Sequence, residues 1–335
     1  MTTNPIRVVG LVSGGLDSLL ASRVMQKIGA DVHLVSFKTA CWTFDRGVPD
    51  PHHTVDSLAE RLGLPLTTMD VTDEYLDILR NPRYGRGTAF NPCIDCKIFM
   101  LKKAREFMDR IGAELVFTGE VIGQRPMSQN RQAMRSVERD SGLKGRLLRP
   151  LCAHSLPPTI PEQEGRIDRS QLLNITGRSR KPQIALAEEF GFDTIPPVGG
   201  GCILTDKHFG ARMFDLLDHG QFDLSNILLS KVGRHFRLSQ TAKAVVGRDE
   251  AENERIVKLA EPGDRLVELK HFPGPTTLLR GQINEEHITQ TAALTWRYSD
   301  AKDRQQATSL TVTEPGGETE ILSLDEFPEI TAELI

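Results

Sequence analysis

Short apolar segments alternate with helical patterns through the first 150 residues, and no other feature restricts the fold as strongly. Strands are predicted at 8–12, 32–37, 66–71 and 115–118, with helices at 18–28, 55–62 and 97–111. Such alternation is typical of parallel sheets, because each helix returns the chain across a face of the sheet. The sequence therefore predicts an α/β domain built on a doubly wound parallel sheet.

The loops after these strands indicate where a ligand would bind. In open α/β sheets, ligands lie beyond the carboxyl ends of the strands. Ser13, Phe37 and Gly119 are all expected at that edge. The candidate site is therefore assigned to the loops after the first, second and fourth strands.

The loop after the first strand reads SGGLDS and leads directly into a helical pattern. Gly14 and Gly15 leave backbone N–H groups free to approach an anion, and the helix adds the positive end of its dipole. Ser13 and Ser18 add hydroxyl donors, and Asp17 is expected to cap the helix or to help hold Mg²⁺. The loop has neither the Lys of a Walker A loop nor the GxGxxG of a dinucleotide site. We interpret it as a phosphate-binding loop of another type.

The chain has five cysteines, an odd number in a sequence with no recognisable signal segment, which argues against a disulfide framework. Cys93 and Cys96 have C-x₂-C spacing before a helix, so they could bind one metal centre or form a redox pair. Cys202 follows three glycines far along the chain. Cys41 and Cys152 are interpreted as small buried apolar residues. Asp95, between the paired cysteines, is expected to cap the following helix rather than to act as an acid or base.

Charge is distributed unevenly along the chain. The net charge is −4, but residues 125–149 carry seven Arg or Lys against two acids, and residues 314–335 carry seven acids and no base. Segments 166–181 and 231–249 are each also basic by +4. Clustered bases are typical of phosphate binding, although solvated faces have the same composition. No run reaches the length of a membrane span, and the expected location is cytoplasmic.

The organisation changes after Pro150. Helices are predicted at roughly 169–176 and 181–190, and the chain becomes strand-rich after Asp206. We predict an α/β domain at 1–205, a smaller α+β module at 206–285 and an acidic segment at 286–335.

Two motifs carry a resemblance to known families. SGGLDS resembles the pyrophosphate loop of the ATP pyrophosphatase (PP-loop) superfamily, and TGEVIGQRPMSQ at 118–129 resembles the TGE-x-x-GQ-x-x-SQ signature of 4-thiouridine synthetases, the tRNA sulfurtransferases. LLRPL at 147–151 resembles the RPL segment of the same family. The resemblance implies an adenine nucleotide alpha hydrolase-like fold, ATP with Mg²⁺ as cofactors, and adenylation of a tRNA uridine. The nucleotide-binding residues that it implies are Ser13, Gly14, Gly15, Leu16, Asp17, Ser18, Phe37, Thr118, Gly119 and Gln124.

The resemblance also bears on the cysteines. Cys202 falls where many 4-thiouridine synthetases have a sulfur-carrying cysteine, and some thiolating members of the superfamily hold a [4Fe-4S] cluster with three cysteines. A cluster on Cys93, Cys96 and Cys202 fits the spacing best. The alternatives are a persulfide relay, with Cys202 as carrier, and structural zinc with Cys152 or a His as fourth ligand. Cys202, Cys93, Cys96 and Asp17 are the predicted catalytic residues.

The chain also departs from that family, since its phosphate loop begins at residue 13, without the long RNA-binding region that precedes the loop in 4-thiouridine synthetases. Residues 226–280 resemble the NFACT-type RNA-binding module of ribosome-quality-control factors. This implies a phosphate-facing surface that includes His235, Lys243 and Arg248. The predicted RNA-binding residues are Arg125, Arg131, Arg135, Lys231, Arg234 and Arg237.

Three functions are compatible with these patterns. The favoured one is thiolation of tRNA to 4-thiouridine, with a cysteine desulfurase or inorganic sulfide as sulfur donor and a homodimer as an expected assembly. A sulfur insertase acting on a small-molecule cofactor is the first alternative. A non-enzymatic RNA-binding protein with a relic nucleotide site is the second.

Overall fold

The computed structural model describes residues 4–42, 54–195, 202–300, 308–324 and 326–335. The chain divides into two compact units, Met1–Ile203 and Leu204–Ile335. Within the described ranges, no helix is long and apolar enough to span a bilayer.

The first unit is a five-stranded parallel sheet with the strand order β3-β2-β1-β4-β5. Its strands are β1 (Arg7–Leu11), β2 (Asp31–Lys38), β3 (Leu66–Asp70), β4 (Leu115–Thr118) and β5 (Leu147–Leu148). Its helices are α1 (Leu16–Lys27), α2 (Val55–Leu62), α3 (Thr72–Arg80), α4 (Cys93–Arg110), α5 (Arg131–Asp140), α6 (Ile160–Gln163) and α7 (Lys181–Glu189). The predicted α/β class is confirmed.

Both faces of this sheet are covered, as the uninterrupted apolar strands require. Val8 and Val9 are neighbours on β1 and lie in different apolar clusters, because successive strand residues point to opposite faces. Val8 packs in the cluster that contains Leu20 of α1, and Val9 packs in the one that contains Leu101 of α4. All four side chains are completely buried. The two faces therefore hold the ends of β1 and β4 in fixed positions beneath the loops.

The helix predicted at 169–176 is reduced to a 3₁₀ turn, Arg169–Gln171. The reason is tertiary: the N–H groups of Leu173 and Ile175 donate to the carbonyls of Pro150 and Leu151 rather than to helical partners. Helix α3, in contrast, was not predicted at all, and α4 begins four residues earlier than expected. The chain after β5 is thus fastened alongside the sheet before α7 begins.

The second unit is a seven-stranded sheet in the order β11-β10-β8-β9-β7-β6-β12. Its strands are β6 (Arg234–Arg237), β7 (Ala242–Val246), β8 (Arg265–Leu269), β9 (Thr277–Gly281), β10 (Thr308–Thr313), β11 (Thr319–Leu324) and β12 (Glu333–Leu334). Its helices are α8 (Lys207–Asp218), α9 (Leu224–Leu229), α10 (Glu250–Leu259) and α11 (Glu285–Arg297). The segment that sequence analysis set apart at 286–335 therefore supplies most of α11 and three strands to this unit.

Candidate functional site

The loop between β1 and α1 is open at the start of the helix. Gly14 has a φ of +73°, which a glycine adopts without strain, and Gly15 is the N-cap residue of α1. A methyl group on Gly15 would meet only Ser13 Oγ, at 3.8 Å. The Ser13 N–H donates to Ser18 Oγ at 3.2 Å, and the two hydroxyl oxygens are also 3.2 Å apart. Because Gly15 has no side chain to cap the helix, its N-terminus is suited to an anionic group.

Gly119 holds the end of β4 against this loop. A methyl group at Gly119 would overlap the backbone carbonyl of Asp17 and lie 2.8 Å from the Ser18 nitrogen. The sequence interpretation gave Gly119 a different reason, close passage of adenosine. The structure adds a second reason for a glycine at this position, which is the close backbone contact between the two motifs.

The Asp17 carboxylate joins three segments of the chain. It accepts hydrogen bonds from Gln124 at 2.8 Å and from Gln183 at 3.4 Å, and it forms an ion pair with Arg180. Asp17 therefore does not cap α1, and its carboxylate is already engaged by three donors. An Mg²⁺ site on Asp17 does not fit this arrangement. Sequence analysis missed Arg180 and Gln183, although the basic cluster at 166–181 was a signal for the former.

Gln124 is part of this network rather than a free ligand. Its amide is 9% exposed, donates to Asp17 and accepts from Gln183 at 3.1 Å. The neighbouring Gln129 and Ser128 are also buried. In the described part of the chain, Gln129 Oε1 finds no hydrogen-bond partner. The segment 118–129 is thus folded inward onto the loop after β1.

A buried ion pair connects the TGE and RPL segments. Glu120 is 3% exposed and lies 3.3 Å from the equally buried Arg149 and 3.6 Å from Lys97. Burial disfavours the charged carboxylate, but Lys97, Arg149 and a hydrogen bond from Thr118 outweigh it and hold the pKa of Glu120 below its usual value. The Thr118 hydroxyl therefore helps to keep the Glu120 carboxylate ionised.

Two predicted nucleotide-binding side chains are core residues. Leu16 packs in the apolar cluster on the α1 face of the sheet, and Phe37 packs in the cluster on the α4 face. They are 3% and 6% exposed. Their side chains pack in the core, so a contact with a nucleotide at these positions would come from the backbone.

Cys93 and Cys96 lie in the first turn of α4. Cys202 lies close enough to Cys96 for its charge to raise the pKa of the Cys96 thiol. Burial raises the pKa of the Cys96 thiol to about 12; the neighbouring Tyr75 hydroxyl acts to lower it, and Cys202 and Cys93 act to raise it further. Asn91 Nδ2 donates to Cys93 Sγ at 3.1 Å. Across the described ranges, no group of three or more His, Cys, Asp or Glu side chains is arranged to hold a metal ion. The three thiols therefore share a neighbourhood without forming a ready-made metal site.

The other candidates near α4 have structural partners. Cys41 and Cys152 are buried, as expected, and Cys152 donates to the carbonyl of Glu120 at 3.3 Å. Asp95 does not cap α4. Its carboxylate accepts from the N–H groups of Arg83 at 3.0 Å and Tyr84 at 2.9 Å, so it fixes the preceding loop.

The predicted RNA-binding side chains of the first unit are accessible. Arg125, Arg131 and Arg135 are exposed, and Arg131 and Arg135 border a cavity of about 80 Å³ beside α5. Arg131 also donates to the carbonyl of Ser155 at 2.8 Å. These cations remain available to a polyanion.

The second unit requires a correction. Arg237 is 9% exposed and forms an ion pair with Asp215, so it is not on a phosphate-facing surface. His235 and Lys243 are also buried, and Arg248 is paired with Glu252. Arg234 is half-buried with its guanidinium 4.9 Å from the centre of the Tyr298 ring, and Lys231 is likewise half-buried.

The fold and this loop define an α/β nucleotide-binding unit of the PP-loop type. Residues 4–156 match the model of the thiamine biosynthesis protein (ThiI) family, and residues 233–333 match that of the NFACT protein RNA binding domain. The first unit is thus similar to the ThiI family over residues 4–156, and the second is similar to the NFACT protein RNA binding domain over residues 233–333.

Several tRNA-specific 2-thiouridylases (MnmA) are similar to this chain in sequence. The one from Limosilactobacillus reuteri is 26% identical over 246 residues, 69% of this chain and 61% of that protein. The one from Thermus thermophilus is 28% identical over 138 residues, 35% of this chain and 36% of that protein. The chain therefore spans less than two thirds of these relatives.

Two solved structures are also similar. A 4-thiouridine synthetase–RNA complex with bound ATP has a TM-score of 0.40 at 20% identity, covering 60% of this chain and 46% of that chain. The U34-tRNA thiolase NcsA from Methanococcus maripaludis with its [4Fe-4S] cluster has a TM-score of 0.31 at 15% identity, covering 68% and 72%.

Proposed function

We propose that this protein is an ATP-dependent tRNA sulfurtransferase that replaces a carbonyl oxygen of a uridine with sulfur. The observation that carries the proposal is the uncapped glycine loop at the start of α1. The segment 118–129 packs against it through Gly119 and through the hydrogen bond from Gln124 to Asp17. The ThiI-type match over that region and the 2-thiouridylase relatives support the same class of reaction.

The reaction needs ATP because a uracil carbonyl is amide-like and its oxygen is a poor leaving group. The carbonyl oxygen attacks the α-phosphorus, and the bond from that phosphorus to pyrophosphate breaks. Hydrosulfide then adds to the activated carbon and loses its proton, the C–O bond breaks, and the oxygen leaves with AMP. The N–H groups at the start of α1 and the hydroxyls of Ser13 and Ser18 hold the pyrophosphate portion.

Arg180 is the cation best placed to respond to ATP. It pairs with Asp17 inside the loop, and both side chains are 19% exposed. An incoming phosphate offers the guanidinium a second anionic partner. We propose that the Arg180 guanidinium binds the pyrophosphate portion of ATP and that Asp17 orients this guanidinium. Any Mg²⁺ would enter with the nucleotide rather than on Asp17.

Cys93, Cys96 and Cys202 are proposed to hold a [4Fe-4S] cluster. Thiolates are the ligands that such clusters take, and three of them leave one iron without a protein ligand, available to sulfide as donor. This donor set fits the cluster in chemistry. Asn91 donates to Cys93 Sγ, and a thiolate would strengthen this hydrogen bond.

The product is proposed to be 4-thiouridine, since the TGE…SQ segment resembles the 4-thiouridine synthetases. The second candidate is 2-thiouridine, because the named relatives are 2-thiouridylases. tRNA is proposed to contact Arg125, Arg131 and Arg135 in the first unit and Lys231 and Arg234 in the second.

The test is anaerobic purification with iron and sulfide counting, followed by nucleoside analysis of tRNA incubated with the protein, ATP and sulfide. We expect AMP formation that tRNA stimulates, and a thiouridine whose retention time and mass spectrum distinguish the 4- from the 2-isomer. AMP formation stimulated only by small molecules would favour an insertase for a small cofactor. Absence of any ATP turnover under anaerobic conditions would leave an RNA-binding protein.

Cysteine variants separate the ways of delivering sulfur. Cys93→Ala, Cys96→Ala and Cys202→Ala are each expected to lose iron and thiolation. Cys152→Ala is the matched control, because Cys152 is a buried thiol that donates to the backbone carbonyl of Glu120. Full thiolation by any of the first three variants contradicts the cluster, and thiolation without iron in the wild type indicates a persulfide relay.

A further inference from the structure

Two buried donors near the cysteines have no acceptor. Tyr75 is completely buried, and its ring packs edge-on against Trp42 with 5.0 Å between ring centres. Within the described residues, neither Tyr75 Oη nor Trp42 Nε1 has a partner with hydrogen-bond geometry. A buried O–H or N–H without a partner destabilises the folded chain, so its presence in a well-packed region requires an explanation.

The groups next to these two donors identify the acceptor that they lack. Trp42 Nε1 lies next to the Tyr75 hydroxyl, and that hydroxyl lies next to the Cys96 thiol. An indole N–H can only donate, and a tyrosine O–H can accept from it while donating onward. The two groups therefore form a chain of donors that ends at the Cys96 sulfur.

A neutral thiol is a weak acceptor, and this accounts for the loose geometry. A sulfur that ligates a metal is a deprotonated thiolate, which accepts hydrogen bonds strongly. Asn91 already supplies one donor to the other cysteine of the pair, Cys93. Donors thus converge on both cysteines of the C-x₂-C pair from different parts of the chain.

We propose that Tyr75, oriented by Trp42, donates a hydrogen bond to the Cys96 sulfur when that sulfur ligates the iron–sulfur cluster. Tyr75 is then a positioning residue that sets the cluster's reduction potential and its retention of iron. This inference rests on the cluster in the proposed function. It assigns a role to a side chain on α3, an element that the phosphate loop and the motif segments do not include.

Donors near the cluster change its reduction potential in a defined direction. Hydrogen bonds to cluster sulfurs withdraw negative charge from the cluster and favour its reduced form, and such bonds are among the determinants of cluster potential. Loss of the Tyr75 hydroxyl therefore lowers the reduction potential. Removal of a partner in the outer shell of a metal site typically weakens metal retention by about 10–100-fold.

The experiment compares the wild type with Tyr75→Phe and Trp42→Phe after anaerobic reconstitution of the full chain. The readouts are iron and sulfide per chain, the potential from an EPR-monitored redox titration, and the rate of iron loss to a chelator. We expect Tyr75→Phe to have a more negative potential and about tenfold faster iron loss. Trp42→Phe should change both in the same direction and to a smaller extent.

Tyr84→Phe is the matched control. It removes a phenol from the same unit, but that hydroxyl donates to Asp140 at 2.6 Å. Its cluster potential should equal that of the wild type. Far-UV circular dichroism checks the fold of each variant, and Trp42→Phe provides the test if Tyr75→Phe does not fold.

The outcomes separate this inference from the proposed function. If the wild type holds the cluster and neither Phe variant changes the potential or the iron loss, the donor chain is refuted and the sulfurtransferase proposal stands. If the wild type binds no iron, the cluster and the donor chain fail together. A change of potential in Tyr84→Phe as large as that in Tyr75→Phe would also overturn the inference.

Discussion

Arg180, at the start of α7, forms an ion pair with Asp17 in the first turn of α1, 163 residues earlier in the chain. Gln124 and Gln183 donate to the same carboxylate, so the loop, the segment 118–129 and α7 meet at one side chain. Because the pair is only 19% exposed on each side, water screens it less than it screens a surface pair. The pair thus couples the phosphate loop to a helix that sequence motifs did not connect with it.

This coupling can be measured with a double-mutant cycle of Asp17→Asn and Arg180→Gln. We expect a coupling free energy of about 1–3 kcal/mol, because each single variant leaves a partly buried charge without its partner. Urea unfolding monitored by Trp42 fluorescence in a Trp296→Phe background gives the four values. The control pair is Arg7 and Asp31, about half exposed, for which coupling should stay below about 1 kcal/mol. Equal coupling in the two cycles would contradict the assignment.

A second prediction concerns Gly119. Gly119→Ala places a methyl group against the Asp17 carbonyl and the Ser18 nitrogen, which are backbone atoms that cannot move aside. We expect a loss of about 1–3 kcal/mol in the stability of the first unit and loss of ATP binding, measured by urea unfolding and isothermal titration calorimetry. Gly15→Ala is the stability control, since its methyl group meets only Ser13 Oγ at 3.8 Å. Wild-type stability and ATP affinity in Gly119→Ala would show that β4 and the loop can separate.

Much of the first unit could be predicted because short stretches of sequence determine its strands and its phosphate loop. The apolar runs that became β1, β2 and β4 are buried on both faces, so their composition alone identifies them. The phosphate loop was equally visible, since its glycines lie between a strand and a helix. The prediction of a helix at 169–176 was wrong because the N–H groups of Leu173 and Ile175 donate to backbone carbonyls after β5. No local sequence pattern specifies this contact.

Side-chain roles were harder to predict than positions. Phe37 follows the pattern of a strand end, but only the packing of α4 decides that its ring enters the core. Arg237 and Arg234 lie on the same strand in the same basic run, and only the position of Asp215 on α8 makes one of them structural. Long-range partners determine such roles, so charge counts along the sequence could not separate them.

Arg234 and Arg237 therefore make a matched pair for a test of tRNA binding. Arg234→Gln is expected to weaken tRNA binding and to reduce the salt dependence of the affinity by about one unit of slope, as loss of one phosphate contact implies. Arg237→Gln removes the guanidinium from Asp215, whose side chain is only 11% exposed, and should cost about 3–5 kcal/mol of stability in the second unit. Fluorescence anisotropy at several salt concentrations and thermal unfolding are the two measurements. A reversal of these effects between the two variants would restore the original interpretation of Arg237.

Lys243 makes the second unit sensitive to pH. It is completely buried on β7, paired in register with Arg237 on β6 and Arg280 on β9, and its Nζ has no hydrogen-bond partner among the described residues. Burial and then these two arginines lower the pKa of Lys243 from 10.5 to about 7, against the attraction of Asp215 and Asp223. Between these two values the unfolded chain binds a proton that the folded unit does not. Stability should therefore rise as pH increases from about 7 towards 10.

Lys243→Met removes the amine and keeps the length of the side chain. The variant should be more stable than the wild type at pH 7, by at most about 5 kcal/mol for a shift of this size, and the difference should shrink as the pH approaches 10. Urea unfolding from pH 6 to 10, monitored by Trp296 fluorescence in a Trp42→Phe background, measures it. Lys258→Met is the control, because Lys258 is 74% exposed and its removal should change stability by less than about 0.5 kcal/mol. A Lys243→Met protein that is less stable than the wild type at pH 7 would mean that the buried amine has a stabilising partner and is charged in the folded unit.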